Sequence, residues 1–276
     1  MKFDLDTAWK DTTALLRDNF RLLALIAGVF YFVPYAAILL WVPGLSEFMN
    51  GAIDPNSSAA QAKLSAMLSG YWWAFLLGAI IQGIGFLAML SLLRRRASPT
   101  VGQAIQNGAR AIPSYLATSI IMGVAIALAV IAIAFLFALT GIGALQVLAI
   151  GLGIAIAFYL VTKFSMAAPI IAIDEVLNPI EAMRRSWNLT GKNSFRLFGF
   201  YALLFVAYAI ISMLVSMVFS LVFALGGAET QLFGQAITSS LMNALAAMLF
   251  ASVLAAVHAQ LSRLRAPRAE PVDGRY

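Results

Sequence analysis

The sequence predicts an all-α integral membrane protein with six transmembrane helices, arranged as three hairpins that are each preceded by an amphipathic interfacial helix. Hydrophobic residues make up 62% of the chain and charged residues 11%, and the mean hydropathy is +0.90. This balance is far from that of a soluble domain. In addition, residues 111–173 contain a single charged side chain, Lys163. A polar amphipathic segment precedes the first, third and fifth of the apolar runs, which indicates three hairpins that each begin with such a segment.

The apolar run at 111–173 is too long for one membrane crossing. As one helix it would measure about 95 Å, roughly three times the thickness of the hydrocarbon core. The chain must therefore turn back, and two glycines, Gly141 and Gly143, supply the backbone freedom for that turn. The run thus predicts two spans, near 114–139 and 144–172.

Four further apolar stretches are long enough to cross a bilayer. They lie near 22–42, 71–93, 197–225 and 235–261. The first lacks a clear small-residue cleavage site, so we interpret it as an uncleaved span rather than a secretory signal. The six spans form a single domain over residues 1–262, and residues 263–276 are predicted to be a disordered basic cytoplasmic tail.

The basic residues are distributed very unevenly about these spans. Apart from Lys63 and Lys163, all of the Lys and Arg residues, 16 of the 18, fall in segments that the six spans would place on one side of the membrane. The positive-inside rule makes that side cytoplasmic. The sequence therefore predicts a multi-pass protein of the bacterial inner membrane with both termini in the cytoplasm, and the net charge of +6 requires no nucleic-acid partner.

The three predicted lead-in segments are amphipathic. They occupy residues 9–21, 101–115 and 180–197, and each carries apolar residues on one helical face with basic residues beside it. Such helices are typical of the membrane interface, where cations meet lipid phosphates. They are equally compatible with elbows that pack on the cytoplasmic ends of the spans.

Residues 168–175, which read APIIAIDE, and residues 180–190, which read IEAMRRSWNLT, carry a family resemblance. They resemble a bacterial family named for the membrane domain of glycerophosphoryl diester phosphodiesterases, and similar six-span inner-membrane proteins. The resemblance implies a six-span membrane domain, which in that family can precede a soluble catalytic barrel. The match is densest across 165–200, and this chain departs from the pattern because it carries no such barrel.

The sequence predicts no enzyme activity, no cofactor and no catalytic metal. Metal-dependent phosphodiester hydrolysis in such barrels needs paired histidines, whereas His258 is the one histidine of this chain. The usual hydrolase, metalloprotease and nucleotide-binding motifs do not occur in a suitable context. No cysteine is available for thiolate chemistry or disulfides.

Two groups of polar residues are the candidate sites. The first group is expected to contact lipid headgroups or to form a structural ion-pair cluster, in which arginines compensate the acidic end of span four: Arg184, Arg185, Arg196, Asp174 and Glu175. The second group is polar and predicted to lie within the membrane: Lys163, Gln82 and Asn243. For Lys163 we favour extension to the interface over a buried functional role. Gln82 and Asn243 are expected to bond across helices or to line a polar path.

Two classes of function remain. The first is a non-enzymatic inner-membrane protein that binds or helps to move lipid or another amphiphile, with membrane lipids as partners. The second is a structural or regulatory subunit of an envelope complex, with a protein partner in the membrane. An ion-coupled transporter is disfavoured because few charges lie at the predicted midplane, and because such carriers usually contain interrupted helices.

Overall fold

The computed structural model describes residues 3–45, 48, 57–94, 99–191 and 193–265. The regular secondary structure in these ranges is helical. Six helical segments are long and apolar enough to cross a membrane, which identifies a multi-pass membrane protein. Several basic residues of the predicted cytoplasmic clusters, together with the tail beyond Arg265, lie outside the described residues: Lys2, Arg95, Arg96, Lys192, Arg268 and Arg275.

The first span is interrupted by one π-helical turn. It consists of α2 (Phe20–Ala27), the π turn Gly28–Phe32 and α3 (Val33–Trp41). Pro34 is the second residue of α3 and has no backbone N–H to donate to the preceding turn, so the wider π turn before it relieves the clash of its ring. A short helix, α1 (Leu5–Asp18), precedes the span and is capped by Asp4, whose side chain accepts a hydrogen bond from the backbone N–H of Thr7.

Spans two and three are longer than predicted. Helix α4 runs over Ser58–Leu92 and contains a kink at Tyr71, so the predicted start of span two is a bend rather than a helix end. Helix α5 runs over Val101–Ala138 without interruption. The prediction of a separate lead-in helix at 101–115 is therefore wrong, since that segment forms the first turns of α5 behind a Thr100 capping box.

Span four is broken in two. Helix α6 (Gly143–Phe164) is followed by α7 (Ala167–Ala172), and the break at Ser165 and Met166 precedes Pro169 by one turn. A proline clashes with the carbonyl four residues before it, here that of Ser165, and this clash accounts for the position of the break. Helix α8 (Pro179–Thr190) then forms the third lead-in segment, and spans five and six are α9 (Ser194–Ala224) and α10 (Ala228–Arg265).

Helix α10 is the centre of the bundle. Within the most apolar window of each span, 61% of the α10 residues are buried, against 0% for α5 and 6% for α9. Helix α10 contacts α1, α3, α4 and α9, while α5 packs against α4 as well as α6. The peripheral helices expose large apolar side chains, among them Phe135 and Leu214. Exposed apolar surface on this scale suits helices that face lipid.

The closest packing lies at the end of the bundle that carries Arg94, Arg184 and Arg263, which we term the basic end. Most of the largest fully buried side chains belong to this end, including Phe3, Leu90, Ile170 and Leu261. Towards the opposite end, where α3, α5 and α9 terminate, the helices separate. A groove of about 460 Å³ lies there between α5 and α6, and a polar cavity of about 260 Å³ lies between α9 and α10.

Helices α4 and α5 cross closely at Gly108, and a substitution there can test this contact. A Cβ atom at this position would lie 2.6 Å from the Ile84 carbonyl oxygen and 3.0 Å from the Ala88 nitrogen. We expect Gly108→Ala to destabilise the protein by about 1–3 kcal/mol, because backbone atoms cannot yield as flexible side chains do. Thermal unfolding in detergent provides the measurement.

The matched control is Gly102→Ala, in the same helix, where a Cβ atom meets nothing within 4 Å. This variant should be neutral or slightly stabilised, because alanine favours helix more than glycine does. Equal losses of stability in the two variants would contradict a close approach of α4 and α5 at Gly108.

Candidate functional site: the groove at helix α8

Helix α8 begins at a well-defined cap. The Asn178 side chain accepts hydrogen bonds from the backbone N–H groups of Ile180 and Glu181, and Pro179 occupies the first helical position, where no N–H is needed. Ala182, Met183, Ser186 and Thr190 form its buried face. The amphipathic pattern predicted for this segment is therefore used to dock the helix on the bundle.

The docking of α8 closes the break in span four. Ser186 Oγ donates a hydrogen bond of 2.8 Å to the Lys163 carbonyl, and the Thr190 hydroxyl lies 3.3 Å from the same oxygen. Because the helix breaks directly after Phe164, this carbonyl is near the end of α6, where intrahelical donors run out. The Ser186 hydroxyl therefore takes the place of a missing backbone donor, while the Thr190 hydroxyl makes its shorter hydrogen bond, of 3.0 Å, to the Ser186 carbonyl.

The Lys163 side chain is enclosed by aromatic rings. Its Nζ lies 4.8 Å from the centre of the Trp187 ring and 5.6 Å from that of Tyr159, and the residue is only 5% exposed. The ammonium thus contacts α8 and is shielded from solvent there, rather than extending freely to the interface as we expected. Cation–π attraction of this kind is strongest where water is excluded.

Trp187 is held in place from three directions. The Lys163 ammonium lies on one side of it. The Trp187 ring also packs edge-on against Tyr159, at 6.3 Å between centroids, and at a tilt against Phe164, at 5.5 Å. One side of Trp187 faces an open groove of about 330 Å³. The groove is apolar along most of its surface and carries two polar groups, with the following lining residues: Ile121, Phe164, Ile180, Met183, Arg184, Trp187 and Asn188.

The three arginines predicted to contact headgroups have different environments. Arg184 lines the groove, and no described carboxylate lies within ion-pair distance of it. Arg185 is paired with Glu181, four residues earlier on α8. Arg196 donates a 3.0 Å hydrogen bond to the Phe3 carbonyl and thereby ties the start of the chain to α9. Arg184 is consequently the member of the three whose charge is available to a ligand in the groove.

The prediction that these arginines compensate the acidic end of span four is wrong. Glu175 pairs with Arg94, at 2.8 Å between Oε1 and Nη1, and Asp174 Oδ2 lies 3.1 Å from His258 Nε2. The sequence did not indicate these partners because they come from α4 and α10, which only the packing brings near α7. Glu175 also adopts a left-handed backbone conformation, with φ of 57°. That conformation turns the chain sharply between α7 and α8.

A small polar cavity adjoins this cluster. It has a volume of about 160 Å³ and is lined in part by Ser91, Asn107, Arg110 and Glu175. The Asn107 amide donates a 3.2 Å hydrogen bond to Ser91 Oγ across it. The cavity joins α4, α5 and the end of α7 by polar contacts, so we interpret it as part of the structural cluster at the basic end.

The two predicted intramembrane amides do not connect helices among the described residues. Gln82 is half-buried in α4 and forms no hydrogen bond with another described residue. Asn243 Nδ2 is buried in α10 and has no hydrogen-bond partner there. Cross-helix bonding was the commoner expectation for both, and neither side chain provides it.

Comparison of the chain with protein-family models, with curated proteins and with solved structures found no match. The family resemblance of residues 165–200 therefore stays a prediction. The geometry of the α8 groove is the evidence on which a function must be argued. It combines one available cation, one amide and an apolar floor, which is the composition expected of a site for an anionic amphiphile.

The pairing of Glu175 with Arg94 predicts a defined pH dependence of stability. The hydrogen bond and charge of Arg94, with a smaller contribution from Arg110, lower the pKa of Glu175 below its usual value. The pair therefore stabilises the folded protein above the usual carboxylate pKa, and this contribution is lost as the pH falls through the lowered pKa. We expect Glu175→Gln to reduce stability at neutral pH by at most about 1 kcal/mol, since the carboxylate is largely exposed.

Thermal unfolding of the wild type and Glu175→Gln across an acid pH series provides the measurement, and the two curves should converge in acid. Arg94→Gln and the double variant complete a mutant cycle, in which the double variant should be no less stable than either single one. A stability deficit that persists unchanged in acid would show that Glu175 acts through its backbone conformation instead.

Proposed function

We propose that this is a non-enzymatic membrane protein that binds anionic lipid through the groove at α8 and can thereby help to move lipid or another amphiphile. The observation that carries the proposal is the position of Arg184 beside an apolar groove. An arginine offers a planar set of donors that matches phosphate oxygens, and such charge-assisted bonds are roughly twice as strong as neutral ones. The apolar walls would accept the first part of an acyl chain.

Helix α8 is suited to this role if it lies along the cytoplasmic surface. The uneven distribution of basic residues supports an inner-membrane protein with the basic end in the cytoplasm, where anionic lipid headgroups are found. In that orientation α1 and α8 would be interfacial helices, each leading into a hairpin. Trp187 would then lie at headgroup depth, where tryptophan is favoured.

The break in span four does not support ion-coupled transport. Interrupted helices in carriers present free backbone groups to a substrate or an ion. Here the Lys163 carbonyl is already occupied by Ser186 Oγ, and the Lys163 ammonium is covered by Trp187 and Tyr159. These contacts favour a structural role for the break, which is to position α8.

Neutralising Arg184 should weaken the binding of anionic lipid. We expect Arg184→Gln to lower the retention of phosphatidylglycerol by about tenfold or more, since a charge-assisted hydrogen bond contributes about 1.5–3 kcal/mol. Native mass spectrometry of the gently extracted protein, titrated with phosphatidylglycerol or phosphatidylcholine, measures the difference.

Arg185→Gln is the matched control, because it removes an equal charge from the neighbouring position but breaks only the pair with Glu181. It should bind phosphatidylglycerol nearly as well as the wild type. Equal losses in both variants would indicate nonspecific attraction to a basic surface. Unchanged binding in Arg184→Gln, with a second polypeptide retained instead of lipid, would favour a structural or regulatory subunit of an envelope complex.

A further inference from the structure

The polar cavity at the basic end is lined by one arginine and one glutamate. It has a volume of about 160 Å³ and lies between α4, α5 and α7 with the segment that follows it. Arg110 comes from α5 and Glu175 from the segment after α7, while Ser91 and Asn107 add neutral polar groups. The volume is about five times that of a water molecule in the liquid, so the cavity can admit a group of several non-hydrogen atoms.

The contacts that join the helices around this cavity use only part of its polar groups. The Asn107 amide donates a hydrogen bond to Ser91 Oγ. The Oε1 atom of Glu175 accepts a 2.8 Å hydrogen bond from Arg94. The other carboxylate oxygen, Oε2, accepts no hydrogen bond from the described residues, although a carboxylate accepts with both of its oxygens. The structural pairs therefore leave one carboxylate oxygen for a further donor.

Arg110 is the second charged group that these contacts leave over. The residue is exposed, and no described carboxylate lies within ion-pair distance of its guanidinium. It is nevertheless close to Glu175, because its charge adds a smaller effect to the hydrogen bond and charge of Arg94, which lower the pKa of Glu175. Arg110 and Glu175 thus line one cavity and attract each other without a direct bond.

The cavity has an apolar floor and an accessible mouth. Leu87, Ile171 and Ala172 line it and are buried in the core of the bundle. By contrast, the Glu175 side chain is 61% exposed, and Leu177, which also lines the cavity, is 41% exposed. A ligand can therefore reach both charged groups from the surface of the basic end, where an exposed apolar side chain lies beside them.

The charges around the cavity favour a ligand that carries both signs. Arg94 and Glu175 already form a pair, and Arg110 adds a positive charge without a paired carboxylate. A purely anionic ligand would bring its charge beside the Glu175 carboxylate, and a purely cationic ligand would bring its charge beside Arg110. Both arrangements are repulsive at short distance. A zwitterion can instead direct its anion to Arg110 and its cation to Glu175.

We propose that this cavity binds a phosphoethanolamine group, as the headgroup of phosphatidylethanolamine or as the free compound. The Arg110 guanidinium would donate to the phosphate oxygens, and the primary ammonium of the ligand would donate to Glu175 Oε2. A choline group cannot make the second contact, because its quaternary nitrogen has no N–H to donate. The site differs from the Arg184 groove in position and in its need for a carboxylate, and it does not depend on lipid binding there.

The test compares the retention of phosphatidylethanolamine and of phosphatidylcholine with the same acyl chains, by native mass spectrometry of the protein in a neutral detergent. The wild type should retain phosphatidylethanolamine about fivefold more strongly, as expected for a charge-assisted hydrogen bond to a partly exposed carboxylate. Glu175→Gln should abolish this preference without lowering the retention of phosphatidylcholine. Arg110→Gln should weaken the retention of both lipids by about fivefold, because both carry the phosphate.

Free phosphoethanolamine, titrated in the same way, distinguishes the two sources of the ligand group. Binding of the lipid alone at matched concentration would identify a headgroup site. Binding of the free compound that is lost in Arg110→Gln and Glu175→Gln would identify a soluble ligand for the same two side chains.

Arg17→Gln is the matched control, since Arg17 is an exposed arginine of α1 whose described ion-pair partner is Asp18. This variant should keep the wild-type preference for phosphatidylethanolamine, and Arg184→Gln should lose phosphatidylglycerol while the preference is unchanged. Thermal unfolding checks that each variant is folded. Equal retention of phosphatidylethanolamine and phosphatidylcholine by the wild type would overturn the proposal, as would an unchanged preference in folded Glu175→Gln or unchanged retention in folded Arg110→Gln.

Discussion

The hydrogen bond from Ser186 to the Lys163 carbonyl is the contact on which the arrangement of the basic end depends. Pro169 breaks span four, and a broken helix in a bilayer leaves backbone groups that need a partner within the protein. Helix α8 provides that partner, and in doing so it is held across the end of α6. Trp187 then covers the Lys163 ammonium, and Arg184 is placed at the edge of an apolar groove. A local defect in one span thus fixes the position of the proposed lipid site.

The same end of the bundle is fixed by polar pairs between distant segments. Arg94 with Glu175 joins α4 to the segment after α7, and Asp174 with His258 joins that segment to α10. At the opposite end the spans separate, leaving a groove and a cavity between neighbouring helices. The protein therefore combines a rigid basic end with more open helix pairs beyond it, an arrangement that would allow amphiphiles to enter from the bilayer.

The membrane class and the six spans were predictable because they depend on the length and hydropathy of continuous segments, which a sequence states directly. The interruption at Ser165 was less evident, since Pro169 within an apolar run is compatible with a kink as well as a break. The lead-in at 101–115 was mispredicted because an amphipathic pattern does not distinguish a separate helix from the exposed first turns of a long one.

The ion pairs could not be predicted at all, since the partners of Asp174 and Glu175 are separated from them by 84 and 81 residues. Arg184 was among the predicted residues, but only packing distinguishes it from Arg185, which Glu181 neutralises. The polar cavity between α9 and α10 did have a signal in the sequence, namely serines spaced by four residues at 212, 216 and 220 in an otherwise apolar span. That spacing places the three serines on one helical face, a pattern that is typical of a polar contact between membrane helices.

The most direct test of the central claim is a structure determined by electron cryomicroscopy in nanodiscs that contain phosphatidylglycerol. The account predicts a lipid headgroup within hydrogen-bonding distance of the Arg184 guanidinium, with its acyl chain against Phe164 and Trp187. A groove filled by a protein side chain or by a second polypeptide, with the ordered anionic lipids bound elsewhere, would contradict it.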